Sequence, residues 1–358
     1  MPKARPAGGV WIAAAVALAM IAAAPVHAET APTRWGTSVV RQPADWYASP
    51  EAGRIADSLL LYQSIEGGWP KNTDMMVPPS GPLDPVAANT FDNEGTTLPL
   101  TFLARVISAG GETPARRAAF DRGLDYVLAA QYANGGWPQF FPLRPGYYSH
   151  ITYNDDAMVR ILTLVSDVAA GRTGYGFVDP DRRARAAEAR ARGIDVILKT
   201  QVVQDGKPTV WCAQHDEVTL APAWARRYEP PSLSGHESVG VTRFLMSIDQ
   251  PSPEIIAAVE GAVAWFRSTA IPDSAVERFT DAEGRPDRRV IAAPGQTLWA
   301  RFYELGTNRP IFMGRDSQIR GSLAEIEQER RAGYNYFDAT AARLIQTDYP
   351  AWRARVGG

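Results

Sequence analysis

The sequence predicts an all-α fold, an α/α toroid of antiparallel helix pairs whose long loops form a cleft at one end. Three observations predict it. A motif repeats at about the length of two helices with their connections, the apolar spacing between its copies is helical, and a long loop rich in Pro, Gly and aromatic residues follows each copy.

The chain begins with Lys3 and Arg5, an apolar run from Val10 to Ala24, and Val26-His27-Ala28, the order of a secretory signal peptide with a small-residue cleavage site. Residues 1–28 are therefore expected to be a leader, which predicts an exported protein, periplasmic or extracellular, with no membrane anchor after the leader is removed. Residues 29–50 read as a poorly specified lead-in and 51–358 as one domain, expected to be a monomer.

The repeat starts at Gln63, where Gln63-Ser64-Ile65-Glu66-Gly67-Gly68-Trp69-Pro70 returns as Gln131-Tyr132-Ala133-Asn134-Gly135-Gly136-Trp137-Pro138, with a weaker echo at Gln201 that includes Asp205-Gly206 and Trp211. The Gln-to-Gln intervals are 68 and 70 residues. Between these marks Phe120, Leu124, Val127 and Leu128 share a helical face, as do Met158, Ile161, Leu162 and Val165, and Ile255, Ile256, Val259, Val263 and Phe266. Each Gly-Gly-Trp-Pro stops a helix, because Gly accepts a left-handed turn and Pro cannot continue one. The loops at 72–89, 138–153 and 207–235 are where a rigid scaffold carries its site.

A hydrophobic fraction of 45% provides for a real core, and a net charge of −2 excludes nucleic-acid binding by bulk electrostatics. The single cysteine, Cys212, forms no internal disulfide, and His150, His215 and His236 lack zinc-site spacing. Apart from Lys3, Lys71, Lys199 and Lys207 every basic side chain is arginine, whose planar fork matches carboxylates, although a G- and C-rich genome produces the same bias.

Four stretches concentrate polar residues. Thr90-Phe91-Asp92-Asn93-Glu94 and Tyr147 to His150 running into Asn154-Asp155-Asp156 each open a predicted helix. Their oxygens serve either as N-caps or as hard ligands for calcium. Trp211 to Glu217 continues to Trp224-Ala225-Arg226-Arg227-Tyr228-Glu229, and Trp299 to Glu304 continues to Arg309 and Gly314-Arg315-Asp316. Arginines set among aromatics read either as a carboxylate-binding surface or as an ion-pair network.

Gly67 to Asn72, Thr90 to Asn93, Gly136 to Gln139, His150 to Asp155, Trp211 to Asp216, and Arg301 to Glu304 through Gly314-Arg315-Asp316 resemble the pectate lyases of polysaccharide lyase family 10, in order along nearly all of the mature chain. The resemblance implies an α/α toroid, Ca2+, and cleavage of polygalacturonate by β-elimination. It implies calcium at Asp92 and Asp155 with Asn93 or Asp156 assisting, and Arg315 as the base that takes the C5 proton. Arg301 and one of Arg226 or Arg227 would hold substrate carboxylates, and Lys71, Asn72 and Trp69 would line the entrance, with His150 and His215 also at the substrate. Because a free guanidinium has a pKa above about 12, an arginine base is expected to need crowding by other cations and alkaline pH. The sequence departs from the family at Glu94-Gly95-Thr96 and Pro99, where a Gly-Ala-Thr helix start is expected. Competing readings are a glycoside hydrolase using Asp92 and Asp155 as its carboxylate pair, and a non-catalytic binding protein for acidic glycans. Only a lyase creates an ultraviolet-absorbing C4–C5 double bond.

Overall fold

The structure, a computed structural model, describes residues 34–357; the expected leader lies outside them. Four helices open in the same way: α1 (Pro50–Leu60), α3 (Pro114–Ala129), α5 (Pro180–Thr200) and α7 (Pro253–Ser268) each begin with Pro, and Ser49, Thr113, Asp179 and Ser252 cap them by accepting a backbone N–H three residues on. Proline suits the first turn because its missing N–H would have had no helical partner. These helices contact one another in chain order and form one layer. Between them, α2 (Thr97–Val106), α4 (Ala157–Ala170) and α6 (Glu237–Met246) contact one another in turn and form a second.

The repeated motif is a pair of latches that hold each loop to the first layer. Gln63 Nε2 donates to the carbonyls of Gly67 and Ala119, Gln131 to those of Gly135 and Ala189, and Gln201 to those of Thr209 and Ala258, so each glutamine joins its own loop to the next helix of the first layer. Each indole N–H caps the end of the preceding helix: Trp69 donates to Leu59 O, Trp137 to Val127 O and Trp211 to Ile197 O. All three indoles are fully buried. Gly135 must be glycine, since its φ is +98° and a Cβ would lie 2.1 Å from the Arg192 carbonyl.

The all-α expectation is corrected: the fold is mixed, with helices and antiparallel strands. After α7 the chain makes a hairpin of Ile271–Thr280 with Pro286–Ala300, joined on its other edge by Phe337–Asp338. Asp281 closes the hairpin turn, its Oδ1 accepting the N–H groups of Glu283 (3.0 Å) and Arg285 (2.8 Å). The strands escape sequence analysis because both faces are largely exposed, so the apolar–polar alternation of a half-buried strand is missing. The hairpin also hides a fourth latch. Trp299 Nε1 donates to Phe266 O at the end of α7, but 33 residues away instead of the 10 that separate Trp69 from Leu59.

Two-residue ladders tie the loops together: Ile151–Thr152 with Gln214–His215, and Leu233–Ser234 with Phe302–Tyr303. One apolar core runs through both helical layers, and a smaller one around Phe302, Phe312 and Tyr336 supports the hairpin side. In the expected lead-in, Val39 and Tyr47 are buried, and Trp35, Trp46 and Tyr47 pack edge-on against Phe102. Among the described residues no helix is long and apolar enough to cross a membrane.

Candidate active site

The helices α2 and α4 start from the same unusual turn. Asn93 and Glu94 have φ of +46° and +64°, and Asp155 and Asp156 have +49° and +61°, a left-handed conformation that Asn and Asp tolerate better than other side chains. Neither turn places a side-chain cap on its helix. Of the two readings open from sequence, capping is therefore excluded for these acids. The two turns touch each other, and the second touches α6.

What the acids hold instead is positive charge. Asp92 pairs with Lys71 Nζ, which lies over the Phe140 ring. Asn93 Nδ2 donates to Asn72 Oδ1 at 3.0 Å. Asp155 Oδ1 accepts from Arg301 Nη2 at 3.3 Å and its Oδ2 accepts from Asn154 at 2.7 Å. Asp156 lies against Gly240, where a Cβ would come within 2.1 Å of its Oδ1, and burial, the largest influence on it, raises its carboxyl. Glu94, the departure from the family pattern, pairs with Arg160 at 3.1 Å, and Pro99 sits in the first turn of α2, where it is tolerated.

Arg301 is the hub. Almost fully buried, its Nη2 reaches Asn154 Oδ1 (3.1 Å), Asp155 and the wholly buried Glu237, while its Nε has no partner among the described residues. Burial works against both charges of the Arg301–Glu237 pair, yet their mutual attraction prevails and holds Glu237 below the usual carboxylate range and Arg301 firmly cationic. The guanidinium lies 4.9 Å from the centre of the Tyr334 ring. The Tyr334 hydroxyl donates to Glu229 at 2.9 Å, and Glu229 in turn accepts from Arg226 Nε at 2.8 Å. Against its burial, Glu229 is held low by Arg226. Beside Glu237, His236 bonds Asp338; burial opposes its charge, but the Asp338 hydrogen bond pushes its pKa up to about 9.

Arg315 is exposed, ion-paired with Glu329 at 2.8 Å, and 4.9 Å from the Tyr228 ring centre. Glu329 raises its pKa, the opposite of the lowering by crowding expected from sequence. Arg227 Nη2 donates to the Arg315 carbonyl and makes no ion pair among the described residues. The structure thus joins Asp155, Arg301, Arg226, Arg227 and Arg315 through Tyr334, Glu229 and Tyr228, and joins Asp92, Lys71, Asn72 and Asn93 on the first turn.

Two expected site residues are corrected. Trp69 is fully buried as a helix latch and cannot line an entrance. His215 is also fully buried: its Nε2 accepts the Cys212 N–H at 3.2 Å and its Nδ1 bonds Leu220 O at 2.9 Å, and burial pushes its pKa down to about 4. It is a neutral structural histidine with no nitrogen left for substrate. His150 is half-buried, its Nδ1 2.9 Å from Glu217 Oε2, and with Asp216 this pair brings three ligand-type atoms within 4.8 Å of one another.

Sequence analysis missed Glu237, Glu229 and Tyr334. For Glu237 a signal existed. The Trp69 N–H bonds Thr96 Oγ1 and the Trp211 N–H bonds Ser238 Oγ, both 27 residues on, so His236-Glu237 occupies the position of Glu94-Gly95 in the third repeat.

The pectic acid lyase family model matches residues 63–345. Among solved structures, the family 10 polysaccharide lyase from Cellvibrio cellulosa is 35% identical, with a TM-score of 0.75 over 88% of this chain and 95% of that one. A mutant of that lyase in complex with trigalacturonic acid is 34% identical, with a TM-score of 0.75 over 88% of this chain and 96% of that one. No curated protein matches. These likenesses decide against the hydrolase and the binding-protein readings, and the chain belongs to the pectic acid lyase family as a pectate lyase of polysaccharide lyase family 10.

Proposed function

We propose that this pectate lyase cleaves α-1,4-polygalacturonate with the help of calcium, leaving 4,5-unsaturated oligogalacturonides. The observation that carries this reading is the pair of left-handed turns at 92–94 and 154–156, which touch each other and whose acids cap no helix, Asp92 pairing with Lys71 and Asp155 with Arg301. Their donors are all oxygens, the ligand chemistry that suits calcium, and the partners they hold here are cations. Calcium held by Asp92 and Asp155, with Asn93 or Asp156 beside them, supplies positive charge to a substrate carboxylate when bound.

In β-elimination the C5 proton leaves to a base, its electron pair becomes the C4–C5 double bond, and the bond from C4 to the glycosidic oxygen breaks, that oxygen then taking a proton. The developing charge falls on the C6 carboxylate. Arg301 is preorganised to meet it, since Glu237 and Tyr334 hold it cationic and in place before substrate arrives. Arg226 offers a second guanidinium, with Lys71 and Asn72 beside the first turn and His150, next to Glu217, as a further substrate contact in this reading.

For the base we propose Arg315. Glu329 stabilises its protonated form, so its neutral form, and with it the rate, grows as pH rises into the alkaline range. Arg227 is the second reading, favoured by one observation: it reaches the Arg315 backbone carbonyl and makes no ion pair among the described residues, so its guanidinium is not held by a carboxylate. Absorbance during digestion of polygalacturonate, at several pH values and with or without a chelator, tests the reading. Arg315→Ala is expected to abolish turnover and keep binding; turnover retained there and lost in Arg227→Ala moves the base to Arg227. The order of the N-terminal segment supports export, and the compact unit Pro32–Gly358 supports one catalytic domain.

A further inference from the structure

The hairpin holds a pair of arginines that the catalytic turns do not use. Arg278 and Arg288 stand directly opposite each other in its register, next to the opposed pair Val276 and Val290. Opposed residues of an antiparallel pair point to the same face, and so do residues two apart on a strand, so these four side chains share a face. Like charges so placed repel each other, and the other two hairpin arginines each have a carboxylate nearby: Arg289 pairs with Glu277 at 2.5 Å and Arg285 with Asp281 at 2.8 Å. Asp287 is taken by Arg331 at 2.5 Å. Among the described residues Arg278 and Arg288 pair with no carboxylate.

Arg288 is also tied to the candidate active site, since its Nη1 donates at 3.2 Å to the carbonyl of Tyr334, whose ring lies under Arg301. Arg288 and Val290 line a cleft of about 410 Å3 between the hairpin and the smaller core at Phe312 and Phe337. Burial and the charge of Arg278 both lower the pKa of Arg288, which fits a site short of one negative charge.

We propose that Arg278 and Arg288 form a second carboxylate-binding site that takes a galacturonate unit of the polymer beyond those held at the catalytic turns. The two guanidiniums meet the carboxylate, and Val276 and Val290 meet the apolar face of the sugar ring. A polymer with one carboxylate per sugar can reach both sites along one strand, whereas a trimer fills the catalytic cleft first. This inference rests on the assignment of polygalacturonate as substrate.

The Arg278 side chain is exposed and has no hydrogen-bonding partner among the described residues, so replacing it is expected to leave the fold intact. Arg278→Ala is expected to raise KM for polygalacturonate about threefold, the scale of one exposed charge contact. Arg278→Glu is expected to raise it further, with kcat unchanged for both and no effect on trigalacturonate. The KM of the wild type should also rise more steeply with salt than that of Arg278→Ala. An unchanged polymer KM in Arg278→Glu, or an equal change on the trimer, would overturn the proposal. Calorimetric titration with polygalacturonate makes the same comparison without turnover. A wild type that fails to cleave the polymer would defeat the lyase reading, while its binding relative to Arg278→Glu still decides the arginine pair.

Discussion

The helical repeats and the region from the hairpin to Asp338 use polar side chains in opposite ways. In the repeats, polar groups reach no further than the neighbouring helix of their own layer: Trp137 reaches back 10 residues to Val127, and Gln131 reaches forward 4 to Gly135 and 58 to Ala189. Around Arg301 the partners come from afar: Asp155 is 146 residues distant, Tyr334 and Glu229 are 105 apart, and His236 and Asp338 are 102 apart. The first pattern makes a scaffold that tolerates little change of shape. The second gathers charges that no short segment could hold together.

Arg301→Ala should break the contrast most sharply. It removes the preorganised cation, lowering turnover about 10²–10³-fold, and it leaves Glu237 buried and unpaired, costing about 3–5 kcal/mol of stability. Steady-state kinetics with urea unfolding checks both, and a variant as stable as the wild type would show that Glu237 does not need its partner. Trp137→Ala should do the reverse. A fully buried indole lost from a latch destabilises by about 3–5 kcal/mol, while the kcat of the folded fraction stays within a few-fold of wild type. A large loss of kcat at undiminished stability would place that latch in the site.

Gln131→Ala, which strips a donor from the Gly135 and Ala189 carbonyls, should cost about 1–3 kcal/mol, seen as a lower urea midpoint with unchanged KM. His236 adds a pH dependence on the site side. Its folded pKa is raised from 6.5 to about 9, the Asp338 hydrogen bond outweighing burial, so its contribution to stability is fully present below pH 6.5 and is lost as pH rises through about 9. Asp338→Asn should flatten that part of the stability profile. The smallest effect is expected from Glu329→Gln: without the ion pair Arg315 loses its proton more easily, so the alkaline rise in rate should move to lower pH. An unmoved profile would argue against Arg315 as the titrating base.

The sequence by itself determined the repeat, the apolar faces of the helices between its copies, and the membership of the family, because these follow from local chemistry: a recurring motif and helical apolar spacing. It also placed Asp92, Asp155, Arg301 and Arg315 among the polar loops. Only the tertiary structure decided which polar residues face a partner and which are consumed by the fold. Trp69 and His215 carry site-like motifs yet are buried as a latch and a backbone bridge, while Glu237, given no role from sequence, proved to be the counter-charge of Arg301. The hairpin escaped for a related reason, since strands exposed on both faces leave no burial pattern, and their pairing exists only between segments that the fold brings together.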